Sequence, residues 1–255
     1  MSTSRSAADR VRLLSAGLVT ARQRPAWCTR RVKSWLVVVL MLLTACSGDA
    51  GGSPPQAPED FDGSALDATR WVAYNGFNQA SGETWQAAQC TVSDGLLRLR
   101  ADSSGICGVA SRTQRTYGKT EVRARFPAPA GQGLAPVFLY WPEHDADWPQ
   151  AGEIDWLECY DTSRQSFGSW IHYAGPGGGD DSDYAGDFRV DMTQWHTYGV
   201  EWSPSQVRVS VDGQVWHVYS RHLPTGPMHL VFQINRIGPV TGTAEVDIDW
   251  VHESG

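Results

Sequence analysis

Gly152-Glu153-Ile154-Asp155-Trp156-Leu157-Glu158 sets three carboxylates within six residues of an otherwise apolar segment. Burying them outright is costly, because a charge taken out of water has to be paired, solvated or protonated. The segment therefore reads as a strand with a polar face that lines a cleft. Side chains alternate along a regular strand, so Glu153 and Asp155 share a side while Glu158 points away. One extra residue near Trp156-Leu157, a β-bulge, shifts the parity of everything after it and returns Glu158 to the side of the other two. The glutamates are then spaced like residues four apart, roughly 13 Å between α-carbons at about 3.3 Å per residue. Side chains leaning inward over Asp155 can close that to the ~5–5.5 Å carboxyl separation that double displacement at a sugar carbon requires. Asp155, placed between them, holds a proton or hydrogen-bonds Glu153 and so helps to split the two pKa values.

Outward from this segment the sequence is all-β. Leu96 to Ala101 follows an Asp94-Gly95 turn, and Thr120 to Phe126 alternates Glu121, Arg123 and Arg125 with Val122, Ala124 and Phe126. Val207, Val209 and Val211 alternate up to Asp212-Gly213, the strongest hairpin signal in the chain, with Gln214 to Tyr219 returning and Ala244 to Val251 closing the domain. Many short strands without a long amphipathic stretch indicate a sandwich or a barrel, and no 20-to-50-residue self-similarity indicates a propeller or solenoid. Ten tryptophans lie beyond residue 58, more than a core of this size needs, which points to rings available for stacking on sugars.

The N-terminal part is a different kind of sequence. A basic flank and the apolar run Trp35 to Ala45, too short for a comfortable membrane span, read as a signal peptide over 1–45. Leu43-Thr44-Ala45-Cys46 looks like a bacterial lipobox, with Cys46 as lipid attachment point and 46–58 as a Gly/Ser/Pro-rich tether. Thr29-Arg30-Arg31 weakly resembles a twin-arginine export signal. The expectation is an exported cell-surface lipoprotein, held to the membrane by that anchor only, with one catalytic domain over 59–255. Residues 1–45 carry 8 of the 21 Lys+Arg and 1 of the 28 Asp+Glu, leaving 13 against 27. So acidic a surface repels phosphate backbones and sulfated polymers, which speaks against nucleic acid as a partner and for a neutral substrate. Of the remaining cysteines, Cys90 and Cys107 flank an apparent hairpin and are a candidate disulfide, stabilising by about 3 kcal/mol in the chain-entropy view. Cys159 is then left over as a small buried hydrophobe. No cysteine or histidine spacing suggests a metal site.

Glu153-Ile154-Asp155-Trp156-Leu157-Glu158 resembles the signature of glycoside hydrolase family 16 in its longer, bulged, laminarinase-like version. The likeness extends to Phe61–Asp67 with Trp71, to Tyr117–Arg125, to Gly133–Val137 with Trp141, to Trp195–Trp202 and to Val211–Gly213, all in the family's chain order. It implies a concanavalin-like jelly-roll β-sandwich of two curved antiparallel sheets whose concave face holds the sugar. By the same likeness Glu153 is the nucleophile, Asp155 the assisting residue and Glu158 the acid/base, with no cofactor required. Tyr117–Arg125 is similar to the family's cleft strand, which makes Arg123 a candidate substrate contact. Trp170 and His172 share a face of Phe167–Tyr173, and the family carries a histidine at this position. Trp141 and Trp148 bracket the loop before the signature as stacking candidates, and Gln233 is a polar residue in an apolar strand near the cleft floor. His196 reads as structural. Asp249 matches a position that helps bind a structural calcium in some relatives. Ala135–Tyr140 and Gln233–Arg236 depart from the commoner family pattern where subsites form, which leaves the sugar open. The expected activity is retaining, endo-acting hydrolysis of a β-linked polysaccharide by a monomer, with β-1,3- or mixed-linkage glucan foremost. A cell-wall transglycosylase and a non-catalytic carbohydrate-binding sandwich stand as alternatives.

Overall fold

Turn chemistry sets the first pairings. Asp94-Gly95 and Asp212-Gly213 take positive φ at both residues, 56° and 70° in one, 50° and 77° in the other, as a two-residue hairpin turn requires. Asp212-Gly213 joins Val207–Val211 to Gln214–Tyr219, and Asp94-Gly95 joins Cys90–Ser93 to Leu96–Asp102. The computed structural model describes residues 57–79, 82–128 and 130–255. The signal peptide, Cys46 and the tether up to residue 56 lie outside the described residues. Within them, regular structure is strand except for two three-residue 3-10 turns, Ala87–Gln89 and Asp145–Asp147.

The strands form two sheets. One has seven, in the order Trp71–Ala73, Gly108–Arg115, Met228–Thr241, Gln132–Pro142, Glu153–Glu158, Ser166–Ala174 and Asp180–Arg189, each antiparallel to its neighbours. The other has ten, with His196–Trp202, Gly118–Arg125, Ala244–Ser254 and Leu96–Asp102 in its middle. Alternation decides what each contributes to the layer between. Ile154, Trp156, Phe138, Phe232 and Ile171 from the first sheet meet Val122, Ala124, Val200 and Ile248 from the second, all fully or nearly fully buried. Phe138 lies 5.4 Å from the Trp156 ring and 4.7 Å from Phe232, centroid to centroid. Burial of each valine, isoleucine or phenylalanine among them stabilises the sandwich by roughly 1.5–3 kcal/mol relative to exposure, and the Ala124 methyl by less. Val137, Leu139 and Trp141 alternate with Phe138 and Tyr140, and they pack with Ala110 and Val231 into a smaller cluster on the opposite face of the seven-stranded sheet. That face carries the site.

Cys90 and Cys107 are disulfide-bonded with α-carbons 5.4 Å apart, a usual separation for a disulfide, and Cys159 is a buried free thiol. One expectation fails. Gly118–Arg125 is not a cleft strand, because it lies in the ten-stranded sheet between His196–Trp202 and Ala244–Ser254. Val122 and Ala124 fill the core, so Arg123 points out on the far side of the sandwich. There it is ion-paired with Asp249, and its guanidinium sits 4.9 Å from the Trp195 ring centroid. Arg123 is therefore a surface ion-pair residue and not a substrate contact. Asp249 is committed to that pair, and a calcium ion at this position would have to compete with the guanidinium for the carboxylate.

Candidate active site

The extra residue sits where parity demands it. Against Gln132–Pro142, Ile154 pairs with Tyr140 and Asp155 with Leu139, then Leu157 with Phe138 and Glu158 with Val137. The shift recurs against Ser166–Ala174, where Asp155 faces Trp170 and Glu158 faces Gly168. Trp156 and Leu157 are consecutive and both enter the core, which an unbulged strand does not permit. Glu153, Asp155 and Glu158 consequently share the outward face, and all three are buried, at 3%, 2% and 6% exposure.

Each carboxylate has a different neighbour. Trp148 Nε1–H donates to Glu153 Oε2 at 2.9 Å. Trp148 is itself stacked on Trp141, centroids 6.0 Å apart, and Trp141 Nε1–H donates to Asp145 at 2.8 Å. The Tyr160 hydroxyl donates to Glu158 Oε2 at 2.6 Å. Asp155 Oδ2 lies 3.1 Å from His172 Nε2, and His172 Nδ1 lies 2.9 Å from Asp180 Oδ1. Asp155 Oδ1 is buried without a donor, and a proton shared with the adjacent glutamate would satisfy it.

These surroundings shift the acids. Burial raises Glu158 to about 8, with repulsion from Asp155 adding to it and the Tyr160 hydrogen bond and His172 opposing it. Glu153 is also raised, by burial first and then by Asp155 and Glu158, with His172 opposing. Two carboxyls raised together retain a proton between them near neutrality and titrate as a unit. Burial works against a charged His172, yet its hydrogen bonds to Asp155 and Asp180 outweigh this and hold it well above the ordinary histidine value. Burial and the charge of Glu158 push the Tyr160 phenol up, which keeps it a donor. A proton donor and a carboxylate nucleophile on one face are what two-step displacement needs. Glu153, Asp155 and His172 also present ligand atoms within 4.8 Å of one another, but both ring nitrogens of His172 already lie within hydrogen-bond distance of an aspartate, Asp155 and Asp180.

The remaining expected residues divide. Trp148 and His172 touch the acids or lie against them, and Trp141 supports Trp148 from behind. Trp170 lies over Gly168, where an added Cβ would come within 2.7 Å of its ring, so glycine lets the indole fold down beside Glu158. Tyr160 and Tyr184 flank it at 5.7 and 4.6 Å. Gln233 pairs with Val137, the residue also opposite Glu158, and donates to Asn235 at 2.8 Å. His196 bonds Asp212 at 2.7 Å on the other sheet, away from the three carboxylates. Sequence reasoning missed Tyr160 and Asp180. Tyr160 lies two residues beyond Glu158, so parity was available to find it. Asp180 depends on an edge-strand register that no local pattern reveals.

A family profile for Glycosyl hydrolases family 16 matches residues 77–252. The chain is 36% identical over 109 residues to a glucan endo-1,3-beta-glucosidase of Cryptopygus antarcticus, covering 41% of this chain and 40% of that one. It is 29% identical over 150 residues to a beta-glucanase of Rhodothermus marinus, covering 52% of each. It thus spans about half the length of these curated relatives. Among solved structures, the laminarinase from Rhodothermus marinus aligns at TM-score 0.67 and 23% identity over 79% of this chain and 96% of that one. This is a likeness of fold, and it matches the jelly roll expected from the sequence.

Proposed function

The chain belongs to glycosyl hydrolase family 16, and from that premise we propose that it is a retaining, endo-acting hydrolase of a β-linked glucan. The observation that carries the reading is the bulge, which sets Glu153 and Glu158 on one buried face with Asp155 between them. Glu153, as the anion, attacks the anomeric carbon and forms a glycosyl ester while Glu158 passes its proton to the departing glycosidic oxygen. Glu158, now a carboxylate, takes a proton from water, which attacks the same carbon and releases Glu153. The proton kept by the pair belongs on Glu158 at the start of the cycle. Trp148 Nε1–H and the nearby His172 cation favour the anion at Glu153. Glucan as the substrate is supported by what the relatives act on, a 1,3-β-linked glucan in one case, and by the acidic charge balance, which disfavours anionic polymers.

The purified protein should release reducing ends from β-1,3-glucan or mixed-linkage β-glucan in preference to a β-galactan, with mid-sized products appearing first. Glu153→Gln should reduce turnover to background while the protein remains folded. Undiminished release by that variant would remove Glu153 from its role. Binding of glucan without any release would favour a non-catalytic sandwich, and products longer than the substrate would favour a transglycosylase.

A further inference from the structure

We infer that Asp180 is a positioning residue for the catalytic carboxylates, holding His172 from the sheet's edge strand so that the ring's other N–H stays fixed on Asp155. The inference rests on the reading of Glu153 and Glu158 as nucleophile and acid. Asp180 opens the strand Asp180–Arg189 directly after Gly177-Gly178-Gly179, where Gly178 takes φ +76° and Gly175 N–H bonds Gly179 O at 2.8 Å. That tight turn fixes where the edge strand begins. Ala174 then pairs with Asp180 and His172 with Ser182, and Asp180 reaches His172 diagonally.

A neutral imidazole has one N–H, so it can donate to only one of two carboxylates, whereas an imidazolium donates to both. His172 has Asp155 Oδ2 at 3.1 Å from one nitrogen and Asp180 Oδ1 at 2.9 Å from the other. Both aspartate carboxylates are less than a tenth exposed and the ring is 16% exposed, so water does not readily replace either partner. The arrangement calls for a doubly protonated ring. The charged groups around it are Glu153, Asp155 and Glu158 from the catalytic strand and Asp180 from the edge strand. The Trp148 ring covers it at 6.5 Å between centroids. The cation offsets repulsion among the three catalytic-strand carboxylates and favours the anion of Glu153. The upward shift of His172 and its lowering effect on both glutamates agree with this.

Asp180→Asn keeps the shape and an acceptor for Nδ1–H but removes the charge, and Asp180→Glu restores the charge. In the uncomplexed full-length protein, ring nitrogen NMR should show His172 doubly protonated through neutral pH. In Asp180→Asn the second proton should leave at a pH lower by about one unit or more. On β-glucan, kcat should fall on the order of tenfold with KM nearly unchanged, and Asp180→Glu should recover part of the loss. The acid limb of kcat/KM should move to higher pH, because without the cation Glu153 ionises less readily. An active wild type whose His172 titration is unaltered by Asp180→Asn overturns this role alone, as does a lowered kcat with an unmoved acid limb. A wild type inert on every glucan, with His172 titrating as expected, overturns the functional reading and with it the catalytic meaning of the relay.

Discussion

The strands Gly118–Arg125 and Glu153–Glu158 both set charged residues against apolar ones, the second with a bulge, and bury their apolar halves in the same core, yet one faces solvent and the other forms the site. The first carries both signs. Lys119 meets Glu121 at 2.7 Å, Arg123 meets Asp249, and Arg125 meets Asp247 at 2.8 Å. The second carries one sign, and the cation that meets it is His172, from the next strand. A mixed-sign face neutralises itself in water and needs no cover. A face of carboxylates alone, buried to 2–6% exposure, has to hold protons. Alternation thus identifies a strand, and the balance of sign on its polar half identifies what that half is for.

The strongest test of this contrast is Glu158→Gln. Removing a general acid costs about 10²–10⁴ in rate, and the largest fall is expected on substrates with poor leaving groups. Because Glu158 donates in its protonated form and is raised to about 8, wild-type hydrolysis should decline as the pH rises through about 8, a limb that the variant should lack. The same substitution should act on stability in the opposite sense to its effect on rate. The native glutamate keeps its proton where an unfolded one, near 4.3, has lost it. The native state therefore binds more protons between about 4.5 and 8, and stability falls as pH rises across that window. The amide escapes this, so Glu158→Gln should melt at the same or a higher temperature at pH 8, by thermal denaturation. A clear fall in melting temperature there would mean that the buried carboxylate is held by its partners as the first strand's acids are.

Asp247→Asn supplies the counterpart. Asp247 is as buried as Asp155, at 2% exposure, but it lies 2.8 Å from Arg125 and 3.6 Å from Arg98. Loss of its charge-assisted hydrogen bonds should destabilise by about 2 kcal/mol, with glucan hydrolysis per folded molecule unchanged. Chemical denaturation at neutral pH measures the first and activity of the folded fraction the second. A stabilised variant would erase the distinction between the two faces.

Much of this was legible in the sequence. The alternating runs and the Asp-Gly pairs marked several of the strands and an all-β chain, while the choice of a sandwich over a barrel came with the family resemblance. The bulge followed from a conflict between parity and chemistry, since Glu158 is useful only on the side of Glu153. Trp148 and His172 could be placed because they lie close in sequence or pair directly with the signature strand. The sheet to which Gly118–Arg125 belongs could not be read, because a charged-apolar alternation fits a site and a solvated surface equally well, and only the partner strands, with Asp247 and Asp249 some 120 residues away, decide between them. Asp180 stayed hidden for the same reason. Its contact with His172 is diagonal across two strands and depends on a glycine turn setting the register. Long-range pairing is what local pattern cannot supply.

Arg123→Ala is the smallest change and the one that bears most directly on the contrast. The side chains of Arg123 and Asp249 are 39% and 31% exposed, so water screens the pair and its loss should cost under about 1 kcal/mol. The guanidinium also rests on the Trp195 ring, shared with Arg125 at 4.8 Å, and Arg125 remains to cover it. Being on the opposite face of the sandwich from Glu153, Arg123 should leave kcat and KM on β-glucan within about twofold of wild type. A tenfold rise in KM without loss of stability would place substrate on the ten-stranded sheet. Mixed-sign alternation would then no longer mark a face that merely meets water.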